Sequence, residues 1–267
     1  MEAEVLWMAG GFFNRLYYGN DKKPDLTKEQ VSGSRFKLFF DVLGVRFWKL
    51  IQLNLLYLLF CIPIITIGPA TAGMTLVLRN WARDDHSWVW SDFWDGMKSN
   101  FWQALAVFGI DALAAIILWV NIQFYNAMGQ TNQIFFMIKY LVLGIALIFA
   151  MMHIYIYPMM VTYKLRLRDM FKNAFIFTAA KLPHTIGIFA LCVGLFIASI
   201  YLYVLPLFII TFSLCGLIVN SFTNAVFDKY INVHLDDSGH YVPIEDKKTD
   251  EEPVTDEKSL EKSGVRA

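Results

Sequence analysis

The chain has 267 residues, of which 57% are hydrophobic and only 17% charged; acids and bases balance, and mean hydropathy is +0.46. A typical soluble domain is about 45–50% apolar, and here the charges gather in blocks, leaving 43 residues from Thr185 to Phe227 without a charge or a histidine. Such runs exclude a soluble fold, whereas a bilayer requires them. The absence of a lysine-rich face excludes a nucleic-acid partner. The expected fold class is therefore all-α, a polytopic transmembrane helical bundle whose first partner is the lipid bilayer.

The first fifteen residues carry Glu2 and Glu4 and no basic start before an apolar core, so no cleavable signal peptide is read there. Residues 5–18 are apolar and aromatic but too short to span, and read as an interfacial helix or, alternatively, a poorly ordered start. A basic loop follows over 19–35. The stretch 50–78 then holds 29 uncharged residues punctuated by Pro63, Gly68, Pro69 and Gly73. Proline inside a helix removes a hydrogen bond and clashes with the preceding turn, so two short arms folding back at the Ile67-Gly-Pro-Ala70 corner are expected, with Pro63, Gly68, Pro69 and Gly73 as hinge residues.

Further along, Asp111 is the only charge between Gln103 and Ile138, and His153 the only ionisable group other than tyrosine between Tyr140 and Tyr163. Lysine and arginine number seven up to Arg46, three over 79–98, five over 159–184 and six after Asn220, while the connections at 65–68, 126–138 and 201–206 carry none. By the positive-inside rule the basic segments and both termini are cytoplasmic. Six membrane-embedded helices follow, near 46–64, 69–83, 101–125, 136–158, 185–202 and 205–222. The second arm reaches only about 22 Å at 1.5 Å per residue, so a re-entrant arm, or five spans, is the alternative. This gives a cytoplasmic or interfacial segment over 1–45, a transmembrane domain over 46–228 and a polar, disordered cytoplasmic tail over 229–267. Residues 236–267 carry ten acids and five bases.

Three stretches share one pattern: an aromatic lead-in (36–40, 93–100 and 170–175), a rising helix, a corner and a falling helix that ends in polar residues. Three parallel hairpin units are expected. Trp48, Trp81, Trp88, Trp90, Trp94 and Trp102 read as an interfacial aromatic belt, with a sugar-stacking platform as the other use of such a cluster. Cys61, Cys192 and Cys215 read as small buried thiols.

Asp111 is the sharpest candidate for chemistry, because an acid near mid-membrane costs at least about 2.5–3.5 kcal/mol on insertion scales. It reads either as a proton, ion or substrate contact or as a carboxyl bonded to Asn54, Asn121 or a backbone carbonyl. His153 and Asn54 complete the candidate intramembrane polar site. His234-Leu-Asp-Asp-Ser-Gly-His240 reads as solvated tail, and neither a metal site nor a cofactor is assigned. No Walker, GxSxG, HExxH or dinucleotide-binding glycine motif occurs, so no catalytic residue is named and the expectation is not an enzyme. Phe175 to Pro183 shares a Leu-Pro step with the cytoplasmic coupling loop of ABC importer permeases but lacks that loop's Glu-Ala-Ala and spaced glycine.

Three blocks together resemble the YesL-type family of bacterial integral membrane proteins: Asn54-Leu-Leu-Tyr-Leu-Leu-Phe-Cys-Ile-Pro63, Thr66-Ile-Gly-Pro-Ala-Thr-Ala72 and Asp92-Phe-Trp-Asp-Gly-Met-Lys-Ser-Asn-Phe101. The resemblance covers about residues 10–230. It implies a multi-pass protein of the bacterial cell membrane, mostly in Gram-positive species, whose relatives often sit beside carbohydrate-uptake and glycan-degradation genes. It supplies no site residues. An accessory component of carbohydrate uptake is expected, contacting a sugar ABC transporter permease or its ATPase, with a homo-oligomer also compatible. A stand-alone transporter with a midplane site at Asp111 is the alternative.

Overall fold

The computed structural model describes residues 35–83, 85–129, 133–231, 233–235 and 241–243. The helix expected over 5–18, the basic loop before residue 35 and most of the polar tail lie outside them. The chain divides into two units, Met1–Ala225 and Val226–Ala267.

In the first unit, α1 (Arg35–Val45) meets α2 (Phe47–Cys61), and Leu38–Val45 and Phe47–Cys61 are bent by 76°. After a 3-10 turn (Ile64–Thr66) comes α3 (Ile67–Ala82), then α4 (Val89–Ser99), α5 (Phe101–Gly129) and α6 (Gln133–Thr162). Next are α7 (Leu167–Ala180), α8 (Leu182–Tyr201), a π-helical turn (Leu207–Thr211) and α9 (Phe212–Tyr230), which crosses into the second unit. Each lead-in expected from the aromatic pattern is a short helix preceding a pair of longer ones.

Among the described residues, four helices are long and apolar enough to cross a bilayer: α5, α6, α8 and the 24 residues from Leu207 to Tyr230. The bent α1–α2 pair makes five if it counts as one span. At 15 and 16 residues, α2 and α3 rise only about 22 and 24 Å, less than the roughly 30 Å hydrocarbon core.

The break between these arms falls earlier than the Gly68-Pro69 corner expected from sequence. It lies at Pro63, where Thr66 Oγ1 donates to Phe60 O at 2.5 Å and Pro63 O at 2.6 Å. Pro63 O also accepts from the Thr66 backbone N–H at 2.9 Å, so Thr66 ties the end of α2 to the turn that leads into α3. Gly68 and Pro69 belong instead to the first turn of α3. Proline is tolerated there, because its missing N–H has no intrahelical acceptor.

α3 is the centre of the unit, with ten of its sixteen residues buried. Glycine makes this possible. A Cβ on Gly73 would sit 2.5 Å from Phe93 O of α4, and one on Gly68 would collide with Ala104 O of α5. The α4 side answers with Gly96, whose missing Cβ lets Gly73 Cα approach to 3.1 Å of that position. Small residues that let backbones approach are the usual basis of helix association in lipid. Around α3 pack Leu50, Leu53 and Leu56 of α2, Phe93 and Met97 of α4, and Leu217 of α9. Trp81, expected in an aromatic belt, is fully buried here, with the Arg46 guanidinium 5.6 Å above its ring. Trp48 and Trp102 stay exposed.

α5 and α6 behave differently. Between Val107 and Met151 no described residue is buried. The two helices touch each other, closing at their far end through Phe124 and Phe135 (ring centroids 6.2 Å apart), and otherwise present apolar side chains outward.

In the second unit, Val233–Leu235 and Tyr241–Pro243 form a short antiparallel ladder with Val233 opposite Pro243. These two three-residue strands fall in the stretch read as disordered tail, and the other described elements are helical, as the all-α expectation has it. Apolar and β-branched residues flanking Asp236-Asp-Ser-Gly239, which is turn-type chemistry, supply the signal in hindsight.

Candidate intramembrane site

Asp111 stands one helical turn beyond Val107 on α5, and seven residues beyond Ala104, so it continues the side of the helix on which those two residues are buried. Across from it on α6, His153 Nε2 lies 2.9 Å from Asp111 Oδ1. His153 Nδ1 lies 3.0 Å from Phe149 O, the carbonyl of its own preceding turn. That carbonyl can only accept, so Nδ1 carries a hydrogen and donates. Nε2 and Asp111 Oδ1 then share a further proton, held by the carboxyl or by the ring. In either arrangement the pair is neutral overall, which is the condition for two ionisable groups to sit cheaply among apolar helices.

The surroundings are aromatic. Phe149 packs 5.2 Å from the His153 ring and stacks on Phe171 of α7 at 6.5 Å. Tyr157, one turn further along α6, lies 6.4 Å from His153 and within electrostatic range of both Asp111 and Tyr57. Tyr57 in turn is 3.3 Å from Thr71 Oγ1 on α3. Both members of the pair are about one quarter exposed, at the level where the α5–α6 hairpin leaves the packed body. Chemically, the arrangement can hold one proton between two atoms and offer a carboxylate oxygen to a ligand.

Sequence reasoning placed Asp111 and His153 in the membrane and did not pair them with each other. Asn121, offered as a partner for Asp111, donates instead to Ile117 O on its own helix at 2.7 Å. Asn54 has a third role. Fully buried on α2, it donates to Leu207 O (3.2 Å) and Phe208 O (2.7 Å) and accepts from Ser213 N–H (3.1 Å). The π-helical turn after Pro206 widens the helix and frees those groups, and one asparagine side chain satisfies all three. Tyr203 and Val204, with φ of 58° and 65°, mark the strained connection just before it. Pro63 holds the corner, while Gly68 and Gly73 hold contacts of α3 and touch neither Asp111 nor His153.

Sequence reading missed two hydroxyl links: Tyr155 with Thr185 at 2.9 Å, and Ser199 with Thr211 at 2.7 Å. Each joins elements across the membrane-embedded region. Hydroxyl residues within otherwise apolar runs were the available signal. Near the α1–α2 elbow a groove of about 700 Å³ is lined by Phe40, Phe47, Trp48, Ile210 and Leu214 among others; it is apolar and offers no carboxylate or basic group.

Residues 50–122, which span α2, α3, α4 and the first part of α5 including Asp111, match the family described as "Protein of unknown function, DUF624". Among curated proteins of Bacillus subtilis (strain 168), "Uncharacterized protein YesV" is 29% identical over 187 residues, covering 68% of this chain and 88% of that protein. "Uncharacterized protein YesL" is 26% identical over 184 residues (67% and 85%). "Uncharacterized protein YteU" is 26% identical over 153 residues (56% and 68%). The chain is similar to these three proteins and, over residues 50–122, to that family. No solved structure matches. The family match over residues 50–122 includes the α3 core and Asp111, one member of the Asp–His pair; His153 lies beyond it.

Proposed function

We propose that this YesL-like chain is a non-enzymatic accessory component of a carbohydrate-uptake system in the bacterial cell membrane, and that it docks laterally against a sugar permease or the ATPase that drives it. The observation that carries the docking part is the α5–α6 hairpin: 29- and 30-residue helices with no buried described residue between Val107 and Met151. Leu113, Ile116, Trp119 and Leu141 all face outward from it. The carbohydrate assignment rests on the setting in which YesL-type proteins occur.

In this reading α2 and α3 form a re-entrant arm and the four long helices cross fully, so both termini are cytoplasmic. The re-entrant form is supported by the tip, where Ile62, Ile64 and Ile65 are more than 60% exposed, a surface suited to lipid rather than water. The three short-helix, long-pair segments then repeat one hairpin unit, the first with shortened arms. The test is purification from the native membrane in mild detergent at endogenous level, with mass spectrometry of what co-elutes. A stoichiometric permease or ATPase is expected; elution as a single species without one contradicts the reading.

One observation favours a second reading. The Asp111–His153 pair gives a transporter a proton-holding site inside the membrane. Purified protein in proteoliposomes should then move solute, and Asp111→Asn should abolish that movement. Absence of any proton-linked flux in the parent protein eliminates this reading.

A further inference from the structure

Between the ends of α6 and α8, α7 is held at one face of the membrane by two apolar helices. Its inward side is Met170, Ala174 and Thr178, spaced four apart and buried. Its outward side is graded along its length. Arg168 and Lys172 come first, followed by Phe175 and Ile176, each about half exposed. Just ahead of the helix, Lys164 and Arg166 are exposed as well. Four cations thus stand within nine residues beside one exposed acid, Asp169, and none of the four has an ion-pair partner among the described residues. α4, the equivalent short helix before α5, carries two acids and one lysine and is packed between α3 and its surroundings.

We propose that α7 with residues 164–166 is a binding surface for anionic phospholipid headgroups. Lys164, Arg166, Arg168 and Lys172 take the phosphate level, and Phe175 and Ile176 enter the acyl layer as the helix descends toward α8. Cations ahead of apolar side chains along one exposed stripe match the order of charge and hydrocarbon met on entering a bilayer leaflet. An acidic groove on a protein partner would use the cations but leave Phe175 and Ile176 without a reason to follow them. The inference depends on the membrane reading alone and stands apart from the accessory role.

The test uses the full chain in nanodiscs of zwitterionic phosphatidylcholine, and in nanodiscs containing equal parts of anionic phosphatidylglycerol. Hydrogen–deuterium exchange is read locally over residues 163–180. Exchange should slow about tenfold in the anionic discs, given the attraction of each basic residue to such a surface. About 1 M salt should erase the difference. Arg168→Gln/Lys172→Gln should also abolish it, and Lys98→Gln on α4 should leave it intact. Equal exchange of the parent protein in both discs overturns the proposal. So does a double variant that keeps the lipid effect; if that variant also loses a co-purifying protein, the surface belongs to a protein partner.

Discussion

α3 and α5 are both apolar helices, yet ten of sixteen residues are buried in one and two of twenty-nine in the other. Their side chains explain the contrast. The first turns of α3, from Gly68 to Gly73, are glycine, alanine, proline and threonine, whose small volumes let neighbouring helices approach its backbone. α5 beyond Val107 presents Ile110, Leu113, Ile116, Ile117, Trp119 and Phe124 outward, side chains that suit lipid or a partner. In a bilayer, apolarity does not decide what is inside the protein, because lipid is as apolar as a leucine side chain. Size does.

The strongest way to break this contrast is a matched glycine pair. Gly73→Leu on α3 drives a side chain into the Phe93 backbone and should cost about 3 kcal/mol or more, seen as loss of monodisperse protein in detergent. Gly109→Leu on α5, where a Cβ meets nothing within 4 Å, should stay within about 0.5 kcal/mol of the parent in thermal melts. Equal damage at both positions would erase the distinction between core and lipid-facing helix.

Asn54→Leu comes next. It fills the same space but leaves two carbonyls and one N–H of the α9 approach unpaired, at about 2–4 kcal/mol. Thermal melts should record this, and local hydrogen exchange should rise over 205–214 before it rises in α3.

The Asp111–His153 pair sharpens the boundary between the two regions, and its effects are smaller. His153→Leu strands a carboxyl in the membrane, whereas Asp111→Leu leaves His153 still donating to Phe149 O. The first should therefore cost more, and a double-mutant cycle should give a coupling of about 1 kcal/mol. Equal single-variant costs with no coupling would show that the bond has no energetic role. Leu113→Ala, on the outward face of α5, should be the mildest change, within about 0.5 kcal/mol.

Much of this was legible in the sequence. Uncharged runs located the long helices, and aromatic lead-ins located the three short ones. The central position of α3 was not legible, because Gly68-Pro69 signals a break as readily as it signals a first turn with close packing. The site was legible only in part. Asp111 and His153 stood out as isolated ionisable groups, but they lie 42 residues apart, and hydropathy has no term for which faces meet. Asn54 looked like a candidate ligand for the same reason, since its acceptors and donor are more than 150 residues away on a turn whose π-helical winding the sequence does not announce.

The most direct measurement is photocrosslinking in native membranes with a photoreactive amino acid at Ile116 on α5. A discrete adduct to a different integral membrane protein or its ATPase, absent when the group is moved off the hairpin to Ile186 on α8, is the outcome expected of a docking hairpin. Lipid adducts alone, or crosslinks only to a second copy of the chain, would contradict it.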